Sequence, residues 1–114
     1  KPQTDVKNIY YTYGWAGLLS PSRRYTDAIG LYQALYDQVA QLKKQGYTPK
    51  IRIIGYSHGA NVCLNLACVK MLENVPKDLS IDELVLIGMP VQNETDFFVC
   101  NPMFKKIFLD LILL

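Results

Sequence analysis

Apolar and polar positions along the chain sort into stretches with the two periods that distinguish strands from helices. Residues 7–13, Lys-Asn-Ile-Tyr-Tyr-Thr-Tyr, are rich in β-branched and aromatic side chains and stop at Gly14, which predicts a strand. Residues 14–22, Gly-Trp-Ala-Gly-Leu-Leu-Ser-Pro-Ser, are punctuated by glycine and proline and read as a loop. Next, Ile29, Tyr32, Tyr36, Val39 and Leu42 recur at steps of three and four, with Leu35 beside them. Asp27, Gln33, Asp37, Gln41 and Lys44 fall largely elsewhere. The spacing predicts an amphipathic helix, with Ser22 as cap, Gly46 as stop and Pro49 just beyond.

A β-branched run at 50–54 predicts a second strand. The stretch 58–73 carries Val62, Cys63, Leu66, Ala67, Val69 and Leu72, apolar around much of a helix, so it should be well buried. Asn74-Val75-Pro76-Lys77-Asp78 ends it. Residues 84–87 are uninterrupted and apolar, as expected of a parallel strand covered on both faces, and Gly88-Met89-Pro90 breaks the run. Residues 91–101 are mixed, and 105–114 fit either a further strand or a short helix. The alternation of strand and helix implies an α/β fold with a parallel sheet. Ligand-handling groups in such sheets gather at the carboxyl ends of the strands. The loops carrying Trp15, Ser57 and Met89 all leave that edge, and would share one cleft.

Composition narrows the classes. A chain of 114 residues, half of them hydrophobic and 19% charged, is a single globular domain with a modest core. Twelve basic against ten acidic residues, mostly scattered, do not make the concentrated basic face that a nucleic acid would need. Cys63, Cys68 and Cys100 form no C-x-x-C pair, and with one histidine in the chain a metal site is not expected. So sparse a cysteine set leans toward a reducing, cytoplasmic compartment. The apolar runs at 84–87 and 111–114 are too short to span a bilayer, and there is no signal-peptide pattern. A chain that starts at Lys1 is read as a processed or trimmed segment.

The chemistry-bearing stretch is Ile53-Ile54-Gly55-Tyr56-Ser57-His58-Gly59-Ala60. A strand enters a Gly-x-Ser-x-Gly turn and a helix leaves it, a spacing that pushes a serine hydroxyl out above a sheet edge. Positions two away on either side must lack side chains for that turn to close, and Gly55 and Gly59 meet the need. At average composition the five-residue motif arises by chance in roughly one in thirty chains of this length, and the flanking strand and helix lower that rate.

Flanked in this way, Gly55-Tyr56-Ser57-His58-Gly59 resembles the nucleophile elbow of the α/β-hydrolases, in particular their lipase- and esterase-like members. The resemblance implies a single incomplete α/β-hydrolase-like domain over residues 1–114, without cofactor or metal. It implies Ser57 as nucleophile and the backbone N–H of His58 as an oxyanion donor. The loop Tyr13-Gly14-Trp15-Ala16-Gly17 looks like the one after the strand beside the elbow strand. Gly88-Met89-Pro90 is similar to the Gly-Thr-Pro that follows the next strand in lipases. Trp15, Met89 and Pro90, with Leu18, would then line an apolar cleft for a small-molecule or lipid ester.

A serine needs a base, usually a histidine held by a carboxylate. His58, the only histidine, follows the serine directly and should project from the first turn of the helix, away from the hydroxyl. The family order is serine, acid, histidine, and no histidine follows His58. The departure places acid and base outside these residues. Asp96, in a polar loop, and Asp110, in an apolar run, are the acids the chain itself offers, and neither is assigned. The leading expectation is a serine hydrolase of an ester. The alternative is a noncatalytic α/β-hydrolase-like binding or interaction module, which the absent histidine favours. A nucleotide-binding domain ranks third, because the motif lacks both the Walker lysine and the G-x-G-x-x-G spacing.

Overall fold

The computed structural model describes residues 21–56, 58–88 and 101–110. Their order is α1 (Pro21–Lys44), β1 (Arg52–Tyr56), α2 (His58–Leu72), β2 (Glu83–Ile87) and β3 (Ile107–Asp110). The strands form one parallel sheet in the order β1-β2-β3, so the described part is a small α/β arrangement. The expected strand at 7–13 and the loop at 14–20 lie outside the described residues.

Helix α1 begins at Pro21, one residue before the expected cap Ser22, because proline's fixed φ suits a first helical position where no N–H partner is needed. It ends as its sequence directs. Gly46 takes a φ of 90°, its N–H reaches Lys43 O at 3.0 Å, and the N–H of Tyr47 reaches Leu42 O at 3.1 Å. That pair of bonds around a left-handed glycine is a Schellman cap. The expected stripe faces the interior: Tyr32 is fully buried, and Ile29, Leu35, Tyr36 and Val39 are partly buried against the core. Ala28, which the stripe omitted, is buried as well.

Helix α2 matches its expected span and supplies most of the core, with Ala60, Leu64, Leu66 and Val69 at 0% exposure. Leu72 is the exception, exposed at the helix end where the sheet no longer backs it. Strand β1 runs two residues later than 50–54, because Gly55 and Tyr56 still pair with Leu86 and Ile87. The tail at 107–110 is a strand, paired Leu84 to Ile107 through Ile87 to Asp110.

The sheet has two unlike faces. Ile53, Gly55, Leu84, Leu86 and Ile107 point to the face α2 covers, where Met103 and Phe104 complete the core. Arg52, Ile54, Tyr56, Val85, Ile87 and Phe108 alternate to the other face, and Ile54 (63%), Tyr56 (67%) and Phe108 (50%) are open to solvent. On the strand expected to be covered on both faces, Leu84 and Leu86 are buried and Val85 and Ile87 are half-buried. At the amino end of that open face Arg52 Nε meets Glu83 Oε1 at 2.6 Å, across the β1–β2 register.

Tyrosines on α1 fasten the turn after α2. Tyr25 donates to Glu73 Oε2 at 2.5 Å and Tyr32 donates to Pro76 O at 2.5 Å. Burial pushes both phenols above their ordinary ionisation range, and for Tyr25 the Glu73 carboxylate adds to it. Tyr32→Phe keeps the buried ring and deletes that bond. It is expected to cost about 1 kcal/mol, read as a lower urea midpoint at unchanged slope.

Candidate functional site

One residue separates the end of β1 from the start of α2, and that residue is 57. The isoleucines at 53 and 54 favour the strand, and the run from Ala60 favours the helix. The change of direction between them depends on Gly55. A Cβ added there would sit 2.8 Å from Ala60 Cα, 3.2 Å from Ala60 N and 3.0 Å from Cys63 Sγ. The start of α2 thus folds back onto the end of β1 so closely that only hydrogen fits at Gly55. The cause is this approach and not a left-handed backbone, since positive φ among the described glycines occurs at Gly46 and Gly88.

The register then lays out the carboxyl edge of the sheet. Tyr56 on β1 pairs with Ile87 on β2, and Ile87 pairs with Asp110 on β3. Gly88, with φ 61°, turns the chain away immediately after Ile87. The strand–helix junction, the Gly88 turn and Asp110 therefore share one edge. Two inter-strand spacings, roughly 10 Å, separate the junction's strand from that of Asp110. Gly59 is the second residue of α2, and His58 is its first. Ser57, Trp15, Leu18, Met89, Pro90 and Asp96 lie outside the described residues, so the expected cleft wall is not described.

The electrostatics of the junction favour an anion. A helix N-terminus carries unpaired N–H groups and a partial positive charge. The first turn of α2 contains no acidic residue to neutralise it. Behind the junction, burial pushes the Cys63 thiol from its ordinary 9.0 up to about 12. Cys63 is therefore a packed thiol and no nucleophile. Its neutral form supports the fold fully below about 9, and that support is lost as pH rises toward 12. Iodoacetamide at pH 9 is expected to alkylate Cys63 at least a hundredfold more slowly in the native chain than in urea, measured by peptide mass spectrometry.

Buried polar groups are what the sequence reading missed. Asn61 and Asn65 are 0% and 4% exposed, one helical turn apart, and Asn65 Nδ2 donates to Asn61 O at 3.0 Å. Their i, i+4 spacing inside the apolar stripe of α2 was the available signal. Arg24 in α1 is likewise buried. A hollow of about 190 Å³ lies between α1 and the segments leading into β1 and β2, beside Tyr36, Lys43, Ile51 and Asp82. It sits at the amino edge of the sheet, where Asp82 already accepts from Ile51 N at 2.8 Å and meets Lys105 Nζ at 3.3 Å.

Among the described residues no helix is long and apolar enough to cross a membrane. Comparison of the chain with protein-family models, with curated proteins and with solved structures gives no match.

Proposed function

We propose that this chain carries the nucleophile segment of an α/β-hydrolase-like serine esterase, with Ser57 as nucleophile. The observation that supports the reading best is the junction at Gly55. A parallel strand passes through one residue into a helix packed so tightly that a Cβ is excluded, at the sheet edge where such folds place their chemistry. In this reading Ser57 Oγ attacks the ester carbonyl carbon and its proton passes to a base. The carbonyl oxygen takes the negative charge beside the N–H of His58, at the uncompensated end of α2. The tetrahedral species collapses, the alcohol leaves with the proton, and water then releases the acid from Ser57.

The base is the missing part. His58 is the one histidine in the sequence and adjoins the nucleophile. The reading therefore assigns acid and histidine to residues outside this chain, and it ties the lipid preference to resemblance alone. The polypeptide as it occurs in its source is expected to hydrolyse p-nitrophenyl esters and to lose that activity on Ser57→Ala. The 114-residue chain alone is expected to show no turnover. A source polypeptide that folds, lacks any further histidine and hydrolyses no ester would instead favour the noncatalytic binding module.

A further inference from the structure

We propose that the 114-residue chain forms a two-fold dimer in which the outer edges of two β3 strands pair antiparallel, joining the described parts of two sheets into one. The inference is independent of the hydrolase reading.

Strand β3 pairs with β2 on one side, and no described strand occupies its other side. Such an edge presents a row of unpaired N–H and C=O groups to any complementary strand. The backbone dictates which residues face outward. Lys106 O accepts from Leu84 N at 2.9 Å, so it is turned toward β2. Backbone groups alternate sides along a strand, so Phe108 also bonds inward, and Ile107 and Leu109 turn their N–H and C=O groups to the free edge. An antiparallel mate must therefore set these outward residues against each other.

Among the registers that do so, the one centred on Phe108 is also complementary in charge. It sets Ile107 against Leu109 of the second copy, Phe108 against Phe108, and Lys106 against Asp110, with each unlike pair made twice. A centre at Ile107 sets Lys106 against the ring of Phe108, and a centre at Leu109 sets Asp110 against it. The charges thus fix register more than they add affinity.

The same register keeps both copies of α2 on one side of the joined sheet. On the other side it continues the open row Ile54–Val85–Phe108 directly into its two-fold mate. The half-exposed Phe108 ring gains an aromatic neighbour at the centre.

Sedimentation equilibrium of the full 114-residue chain is expected to give twice 13.0 kDa. Lys106→Asp alone, or Asp110→Lys alone, sets like charges opposite one another at both ends and is expected to weaken the dimer at least tenfold. The two together are expected to restore it. Phe108→Cys is expected to cross-link under mild oxidation, because facing Cα atoms in a pair without direct hydrogen bonds lie roughly 4.5 Å apart. Lys106→Cys, offset from its own two-fold mate, is expected not to. A monomeric parent chain overturns the proposal. So does a dimer indifferent to both charge reversals with no Phe108→Cys cross-link, which would place another surface or another strand at the contact.

Discussion

Gly55→Ala is expected to destabilise the chain by about 1–3 kcal/mol, the usual cost of overpacking, although it adds a single methyl group. The added carbon would lie 2.8 Å from Ala60 Cα, a backbone atom that cannot rotate away. Relief requires α2 to lift from β1 or Cys63 to leave its packed position, and both sit in the core. Gly46→Ala supplies the contrast. Nothing lies within 4 Å of a Cβ there, but the residue holds φ at 90°, so the cost is backbone strain of about 1 kcal/mol. Urea unfolding of both variants separates the two causes. In a Cys63→Ala background, which removes the sulfur 3.0 Å from the added carbon, the loss at Gly55 should shrink and the loss at Gly46 should not change. A neutral Gly55→Ala would mean that strand and helix are not held in the close approach from which the site is built.

Ser57→Ala is the second large effect. In the polypeptide that supplies the base, it is expected to lower ester turnover by a factor on the order of 10⁴ or more, as loss of a serine nucleophile does elsewhere. The residual rate would come from the oxyanion donor and from binding. Unfolding stability serves as the control, because a loss caused by misfolding would move the urea midpoint along with the activity. A loss of less than tenfold would remove Ser57 from the covalent step.

How much of this the sequence announced varies by element. Helix α2 was legible to within a residue, since an apolar run bounded by Gly59 and by Asn74-Val75-Pro76 has few alternatives. The end of β1 was misplaced because Gly55 reads as punctuation in isolation, whereas in the sheet it remains paired with Leu86. The fate of 107–110 was open, because Ile-Phe-Leu-Asp has neither helical nor alternating spacing. Its pairing with Leu84–Ile87 settles it, and that contact is long-range. The exposure of Ile54 and Phe108 could not be read at all: apolar content says that a face wants cover, not which segment provides it.

Of the site, the motif revealed the junction and the need for Gly55, and the structure gives that need its atoms. It also adds what no spacing rule could supply, namely that Asp110 ends its strand in the row that begins with Tyr56. The burial of Asn61 and Asn65 is not legible in their residue type, because an amide is expected at the surface unless a partner such as the Asn61 carbonyl satisfies it inside.

The proposed chemistry requires Ser57 to be an activated nucleophile. The most direct measurement is labelling of the native polypeptide from its source with a fluorophosphonate, followed by tryptic mapping. Trypsin cuts after Arg52 and Lys70, and the peptide between them contains Ser57 as its one serine. A phosphonyl adduct is expected on that peptide, at Ser57, and is lost if the polypeptide is unfolded beforehand. A folded polypeptide whose peptide stays unmodified, while a known serine hydrolase in the same sample is fully labelled, would contradict the proposed chemistry.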